Sequence, residues 1–322
     1  MIDSPIIIIG SPRSGTTILQ RCLALHPALW HLRAESHYIL EGPIRPSKIG
    51  RMSNRCVAED IDEDTAEFVR GRFYEEAMNV SQILEDPGWI FSTNGLAGRV
   101  FSAAMIKALG TISKMKKSAS IRFLEKTPKN SLRVSLLDRL FPDALFVWNR
   151  RRPKDNIDSL VAGWNTSDSV GPIELPRFSR FGYSVAGNLD LQEYSGKWWK
   201  FALVPEWESL RGKSLGEVAG WQYYQCNRYA HKDLAKLEDE RVVTVQHEQF
   251  VRNPVKVTSR ILSRAGLSIS PAVEQFASAL PRVNSTHGTE EEGESGLRYP
   301  EQVKRALTSI PRLEELKARL GY

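Results

Sequence analysis

Residues 5–17 read PIIIIGSPRSGTT, and this stretch decides the fold class of the chain. The unbroken β-branched run from Pro5 to Ile9 predicts a central parallel strand that is covered on both faces. Gly10-Ser11-Pro12 then turns the chain, and Gly15 to Leu25 has helical spacing until His26-Pro27 ends the helix. A strand, a glycine turn and a helix N-terminus together form a site for anions.

The alternation of strand and helix continues along the chain. Further strands are predicted at Ile121 to Leu124, Leu145 to Trp148 and Arg241 to Val245, with helices opening after them at Thr127-Pro128 (running to Leu140), Pro153 and Asn253-Pro254. Other helices are predicted at Ile61 to Met78, Gly216 to Leu237 and Pro300 to Leu320. This order predicts an α/β fold with a P-loop-like, doubly wound parallel sheet flanked by helices.

The chain shows no internal repeat and no clean boundary, so residues 1–322 are predicted to form a single domain. Residues 164–212 are rich in Gly, Pro, Trp and Tyr and have weak periodicity. We interpret them as an acceptor-side insertion that packs over the sheet. Residues 284–296 are predicted to form a mobile polar loop.

Composition narrows the function further. The formal net charge of +6 suits an anionic small ligand, and the positive charge is dispersed apart from residues 149–154, so nucleic-acid binding is not expected. The cysteines Cys22, Cys56 and Cys226 have no paired spacing, which argues against a disulfide framework and a zinc site. The first apolar run is too short to cross a membrane, so we expect a cytoplasmic protein without a membrane anchor. The oligomeric state stays open.

The loop after the first strand lacks what a nucleoside triphosphatase needs. Such an enzyme requires a lysine for the β- and γ-phosphates and an acid at a neighbouring strand end for magnesium. Here Thr16 stands in place of the lysine, and the cation is Arg13. Ser14 and Thr17 add hydroxyl donors, while the strand ending at residue 148 is followed by Asn149 and three arginines. The loop therefore suits a phosphate that arrives without magnesium.

A second anion site is predicted where Arg151 leaves the sheet. Pro153 opens a helix there, and Ser159 lies about two turns along it, so both groups can reach one phosphate at the carboxyl edge of the sheet. Two metal-free anion sites at neighbouring strand ends indicate a nucleotide that carries phosphate at two separate positions.

These residues resemble the PAPS-dependent sulfotransferases. Pro12-Arg13-Ser14-Gly15-Thr16-Thr17 is similar to their 5′-phosphosulfate loop, and Arg151 with Ser159 is similar to their 3′-phosphate motif. The order of the motifs GSPRSGTT, LALHP, EKTPKN, LFPDALFVWNRRRP, VQHEQFVRNP and LGY resembles bacterial members and tyrosylprotein sulfotransferases.

The resemblance implies that the donor is 3′-phosphoadenosine 5′-phosphosulfate (PAPS), that the product is PAP, and that no metal is used. It implies Glu35 as the catalytic base, with His37 and His31 as the competing candidates. Lys126 is implied to approach the bridging oxygen and the sulfonate, and Arg13 shares this electrostatic role.

The chain also departs from the family pattern. Many members carry a tryptophan directly after the two threonines to stack on adenine, whereas this chain has Ile18. His247 occupies the slot of a tyrosine and is a candidate contact of the nucleotide. The basic loop that covers the 3′-phosphate in cytosolic members has no clear equivalent, and Arg298 is the one candidate near its position.

The acceptor is less well specified. Five tryptophans fall in or just after the insertion and are predicted, on equal terms, to line an acceptor pocket or to pack as a hydrophobic lid: Trp164, Trp198, Trp199, Trp207 and Trp221. A pocket of this kind favours a carbohydrate, glycolipid or natural-product hydroxyl. The rival functions are a P-loop kinase or nucleotide hydrolase, and a non-catalytic PAP-binding protein.

Overall fold

A computed structural model of the chain describes residues 1–44, 46–79, 81, 108, 111, 112, 115, 117–166, 189–194, 199–280 and 296–322. Within these ranges the strands are β1 (Ile6–Ile9), β2 (Leu29–His31), β3 (Arg122–Lys126), β4 (Leu145–Arg150) and β5 (Val242–Gln246). The helices are α1 (Thr16–Leu23), α2 (His37–Leu40), α3 (Pro46–Ile49), α4 (Glu63–Glu76), α5 (Val134–Leu140), α6 (Pro153–Asn165), α7 (Leu215–Leu234), α8 (His247–Arg252), α9 (Pro254–Arg264), α10 (Pro271–Ala279), α11 (Pro300–Ser309) and α12 (Arg312–Arg319).

The strands form one parallel sheet in the order β2-β3-β1-β4-β5. β2 and β3 lie on one side of β1, and β4 and β5 lie on the other, so the direction of winding reverses between β1 and β4. In an open α/β sheet, ligands bind outside the carboxyl ends of the strands at such a switch point. The predicted doubly wound fold is confirmed, and it brings the ends of β1 and β4 together.

The alternation of side chains along β1 divides the core into two layers. Ile7 and Ile9 pack with residues of α4 to α7, α11 and α12. Ile6 and Ile8 pack on the opposite face with residues of α1, α8, α9 and α10. All four isoleucines are 0% exposed, as the unbroken apolar run requires for a central strand.

Four strands lie where the sequence predicts them, and β2 is an addition. Its three residues, Leu-Trp-His, are too few to show the alternating pattern that indicates a strand. The single helix predicted from Pro300 to Leu320 is wrong, because the chain breaks at Ile310-Pro311 and proline has no N–H to continue a helix.

Two other expectations about local structure are changed or lie outside the described residues. The helix predicted from Thr127 to Leu140 is a 3₁₀ turn, Pro128–Leu132, followed by α5. Residues 284–295 of the predicted polar loop and residues 167–188 and 195–198 of the predicted insertion are outside the described ranges. No helix in the described part of the chain is both long and apolar enough to cross a membrane.

A buried carboxylate ties α2 to the segment that follows β3. Glu41 is 1% exposed, and its Oε1 accepts hydrogen bonds from Lys129 Nζ at 3.0 Å and Arg133 Nη2 at 3.2 Å. Burial by itself raises the pKa of Glu41, but Lys129 and Arg133 outweigh burial and hold this pKa at about 2. His37 Nδ1 lies 3.6 Å from the same Oε1, so the cluster also fixes the first residue of α2.

The variant Glu41→Gln should lower the free energy of unfolding at neutral pH by about 3 kcal/mol, because two buried cations lose their counter-charge. The folded-state pKa of Glu41 is depressed, so its stabilising contribution is present above a pH of about 4.5 and is lost as the pH falls toward 2. The difference between wild type and variant should therefore shrink over that interval. Urea unfolding followed by circular dichroism at several pH values measures it.

The control is Glu75→Gln, whose ion pair with Arg72 is exposed. This variant should change the free energy of unfolding by less than about 1 kcal/mol. A Glu41→Gln difference that stays constant from neutral pH down to the acid range would contradict the pairing described above.

Candidate active site

Two buried asparagines hold the loop between β1 and α1. Asn149 Nδ2 donates to the carbonyl oxygen of Ser14 at 2.8 Å, and Asn156 Nδ2 donates to that of Pro12 at 2.8 Å. Asn149 lies in β4 near its end, where a nucleoside triphosphatase would place an acid for magnesium. The sequence singles out Asn149 as an amide in place of an acid, but it does not reveal the contact of Asn149 with the loop, and it gives no signal for Asn156.

The two anion motifs predicted from sequence meet in space. Arg13 Nε donates to Ser159 Oγ at 3.3 Å, and Arg151 Nη1 donates to the carbonyl oxygen of Arg13 at 3.0 Å. The loop after β1 is therefore bonded directly to Ser159 in the middle of α6 and to Arg151, the residue that follows β4. Arg13 reaches this position with a φ of 67°, in the left-handed region that non-glycine residues rarely adopt.

Positive charge is concentrated at this junction. Burial lowers the pKa of Arg13, and the charge of Arg298 lowers it further. Burial also lowers the pKa of Arg151; Arg13 adds to this effect, while Asp155 and Glu248 oppose it. Three guanidinium groups from separate parts of the chain thus crowd one region, and an anion placed there would relieve their repulsion.

Gly15 is the point at which the end of β5 approaches the loop. Its φ is 91°, and a Cβ at this position would lie 2.3 Å from both Cε1 and Nδ1 of His247. Burial, and after it the charge of Arg151, lowers the pKa of His247 to about 4, so the imidazole is neutral at pH 7. His247 Nδ1 and Ser14 Oγ are buried and lack hydrogen-bond partners among the described residues. Both are therefore free to bond a ligand.

Glu35 lies between Lys126 and His37. Its Oε1 accepts from Lys126 Nζ at 2.7 Å, and its Oε2 is 2.8 Å from His37 Nε2. Burial acts to raise the pKa of Glu35, but His37 and Lys126 outweigh it and lower the pKa to about 2. Glu35 is thus ionised at neutral pH. His31 lies in β2, where its Nδ1 is 2.9 Å from the carbonyl oxygen of Leu32.

Hydrogen bonds from Ser36 keep this ion pair in place. The backbone N–H of Ser36 donates to Thr127 Oγ1 at 2.8 Å, and its hydroxyl donates to Glu125 Oε1 at 2.7 Å. Burial raises the pKa of Glu125. Because Ser36 follows Glu35, and Glu125 and Thr127 flank Lys126, these bonds align the two short segments that carry the pair. The pairing of Glu125 with Ser36 could not be read from the sequence, since the partners are far apart in the chain.

These groups surround one cavity of about 590 Å³, which is within the range of small-molecule sites. It is lined by Pro12, Arg13, Gly15, Thr16, Thr17, Ile18, Arg21, Glu35, His37, Pro128, Lys129, Arg151, Ser159, Phe201 and Ala202. Of the other predicted site residues, Lys126 contacts this lining through Glu35, and His247 lies against Gly15. His31 is not part of the lining.

None of the tryptophans among the described residues is part of the cavity lining. Trp164 and Trp199 are each 1% exposed, and their rings meet edge to face with centroids 5.3 Å apart; Trp207 packs against Trp199 at 6.2 Å. Trp221 donates its Nε1 hydrogen to the carbonyl oxygen of Pro205. For these four, the predicted pocket lining is wrong and the alternative of a packed hydrophobic cluster holds. Trp198 is outside the described residues.

One family model matches the chain. The model of the sulfotransferase family matches residues 5–181. No curated protein matches the sequence significantly. Among solved structures, the chain is similar to the sulfotransferase domain from the curacin biosynthetic pathway, with 18% identity, a TM-score of 0.44, and coverage of 85% of this chain and 77% of that one.

Two further solved structures are similar. For the sulfotransferase domain of the Synechococcus PCC 7002 olefin synthase, the identity is 16%, the TM-score is 0.45, and coverage is 99% of this chain and 96% of that one. For sulfotransferase STF1 from Mycobacterium tuberculosis H37Rv, the identity is 16%, the TM-score is 0.44, and coverage is 96% and 78%. The family match runs from β1 past α6 and covers more than half of the 322 residues. The chain belongs to the sulfotransferase family.

Proposed function

We propose that this sulfotransferase moves the sulfuryl group of PAPS to a hydroxyl of a carbohydrate, glycolipid or small natural-product acceptor by in-line displacement. The observation that carries the proposal is the contact between Arg13 and Ser159, which joins the loop after β1 to α6. A donor with phosphate at two positions needs two anion sites a fixed distance apart. The contact supplies that fixed spacing.

In this proposal, residues of the loop hold the 5′-phosphosulfate: Arg13, Ser14, Gly15, Thr16 and Thr17. Arg151 and Ser159 hold the 3′-phosphate, and His247 contacts the nucleotide beside Gly15. The buried Ser14 Oγ and His247 Nδ1, which lack partners among the described residues, suit a ligand rich in hydrogen-bonding groups. Binding needs no divalent cation, since Asn149 rather than an acid occupies the end of β4.

Glu35 accepts the proton of the acceptor hydroxyl, while Lys126 and Arg13 stabilise the charge that develops on the donor. With Lys126 at 2.7 Å, Glu35 is a weak base, because its pKa is about 2. When Lys126 turns toward the transferred group, Glu35 loses one of the cations that lower its pKa and becomes a stronger base. Binding of the donor and activation of the acceptor are then coupled through one lysine.

Residues 1–322 act as one domain in this scheme, since distant parts of the chain meet near the site. Tyr322 donates its hydroxyl hydrogen to Glu248 Oε2 at 2.9 Å. Glu248 follows His247, and its Oε1 accepts from the backbone N–H of Arg152 at 3.0 Å.

Calorimetry with PAP tests the donor assignment. PAP should bind wild type in EDTA as tightly as in magnesium. Ser159→Ala should weaken PAP binding about tenfold, because a hydrogen bond to a charged group is lost, and should leave AMP binding unchanged, because AMP has no 3′-phosphate. Arg151→Ala should weaken PAP binding by about tenfold or more.

The matched control is Arg152→Ala, which removes the same charge from the neighbouring residue outside the cavity lining. It should change PAP affinity by less than about twofold. Binding of PAP only in magnesium, or magnesium-dependent turnover of ATP, would favour a P-loop kinase or hydrolase. No PAP binding at all would remove the donor assignment.

The variant Glu35→Gln tests the base. It should keep PAP affinity within about twofold and lower kcat by about 100-fold or more, because a positioned base contributes that much to proton transfer. The measurement is the formation of labelled sulfate ester from labelled PAPS and an acceptor that the wild-type protein sulfates.

His37→Asn is measured in parallel to separate the two candidate bases. A larger loss in His37→Asn than in Glu35→Gln would make His37 the base and Glu35 its orienting partner. Full activity of Glu35→Gln would remove Glu35 from the mechanism. PAP binding with no sulfated product from any acceptor would favour a non-catalytic PAP-binding protein.

A further inference from the structure

Among the described residues, Phe201 is the phenylalanine that lines the cavity, and its backbone is in an unusual conformation. Its φ is 63°, a left-handed value that is strained for a bulky residue. Such strain persists only where the surrounding structure holds the residue, and it is concentrated at functional sites. What holds Phe201 therefore bears on what it does.

The segment around Phe201 is pinned by buried side chains on one side. Gln222 Nε2 donates to the carbonyl oxygen of Lys200 at 2.8 Å and to that of Ala202 at 2.9 Å. Trp199 Nε1 donates to the same Ala202 oxygen at 2.8 Å. Gln222 is itself oriented by Trp164, whose Nε1 donates to Gln222 Oε1 at 2.8 Å. Trp164 and Trp199, which are not part of the cavity lining, thus fix the turn that carries Phe201.

The same segment is tied to the structure on either side of the cavity. Lys200 Nζ donates to the carbonyl oxygens of Trp164 and Thr166 at the end of α6. Leu203 exchanges hydrogen bonds with Asn54, through its N–H to Asn54 Oδ1 at 2.6 Å and its carbonyl from the Asn54 N–H at 2.7 Å. The carbonyl of Asn54 in turn accepts from Arg133 Nε. The turn therefore bridges α6 and the segment that follows Lys126.

The ring of Phe201 sits over a glycine. A Cβ on Gly163 would lie 2.4 Å from Phe201 Cζ, so only glycine allows the ring to take this place. Gly163 is one helical turn beyond Ser159 in α6. The ring therefore lies next to the cationic side of the cavity, and Phe201, Ala202 and Pro128 add apolar surface to a lining otherwise rich in charge.

We infer that Phe201 is a specificity-determining residue for the acceptor, and that the acceptor carries a flat apolar group next to its hydroxyl, which packs on the Phe201 ring. This inference rests on the proposed function. A rigid ring in a strained, doubly tied turn offers a fixed surface at little entropic cost on binding. Aromatic rings prefer offset or edge contacts with other flat groups, and the Phe201 ring offers no hydrogen-bonding group to the hydroxyls of a sugar. Among the proposed acceptor classes, the geometry favours a natural product with an aromatic or similarly planar portion.

Two variants test the inference from different directions. Phe201→Ala removes the ring, and Gly163→Ala leaves the ring chemically intact but displaces it. The matched controls are Phe68→Ala, an exposed ring on α4, and Gly71→Ala, a glycine of the same helix with open space around it. Binding of 2-naphthol, as a flat aromatic alcohol, and of methyl glucoside, as a polar one, is measured by calorimetry with and without PAP.

Wild type should bind 2-naphthol more tightly than methyl glucoside. Phe201→Ala and Gly163→Ala should each weaken 2-naphthol about tenfold, with methyl glucoside and PAP within about twofold of wild type. Phe201→Leu, which keeps apolar bulk without a flat face, should fall between. The control variants should match wild type, and thermal melts confirm that each protein is folded. If Phe201→Ala does not fold, the 2-naphthol affinities of Gly163→Ala and Phe201→Leu test the inference instead.

Three outcomes overturn the inference: 2-naphthol affinity unchanged in both variants, no preference for 2-naphthol over methyl glucoside in wild type, or PAP affinity falling as far as 2-naphthol affinity. The last would assign the ring to the donor. Failure of the donor assignment is distinguishable, because 2-naphthol binding without PAP is measured on its own. If the protein binds 2-naphthol through Phe201 but does not bind PAP, the inference about Phe201 stands and the assignment of PAPS as the donor fails.

Discussion

The attachment of the loop after β1 to β4 and α6 is the constraint on which the site depends. The backbone carbonyl oxygens of the loop point toward the protein, where three side chains donate hydrogen bonds to them. The donors are Asn149 to Ser14, Asn156 to Pro12 and Arg151 to Arg13. At a helix start the first backbone N–H groups have no partner inside the helix, and at the start of α1 no side chain caps them. The loop begins directly at the sheet, because β1 and β4 pair up to Ile9 and Trp148.

Charge is distributed unevenly around the cavity, and the distribution follows from the same topology. The ends of β1 and β4 supply Arg13 and Arg151, and the end of β3 supplies Lys126. Among the described residues that line the cavity, the acid is Glu35, which faces Lys126 on the β3 side, while Asp155 and Glu248 lie near Arg151 outside that lining. The cations at the β1–β4 junction therefore attract an anion there, while Glu35 lies on the β3 side of the cavity. Lys126 donates to Glu35 and lowers its pKa, so the basicity of Glu35 depends on whether Lys126 is paired with it.

The sequence predicts the strand, loop and helix around Arg13 and Arg151 well because these signals are local. The β-branched run, the PRSGTT loop and the arginine before Pro153 each indicate a structure within a few residues. The position of Glu35 beside Lys126 depends on contacts between distant residues, such as Ser36 with Glu125, which no spacing reveals. β2 was missed for a related reason, since its strand character comes from pairing with β3 and not from its residues.

The tryptophans illustrate why composition alone left two interpretations open, an acceptor pocket and a packed lid. A large ring buries more surface in a core than in an open cavity, and Trp164 and Trp199 are buried in the core. Their indole N–H groups still need partners when buried, and they find them on Gln222 and on the carbonyl of Ala202. Satisfying those donors fixes the backbone on either side of Phe201. The aromatic cluster therefore shapes the cavity through hydrogen bonds, although a different aromatic ring, that of Phe201, lines it.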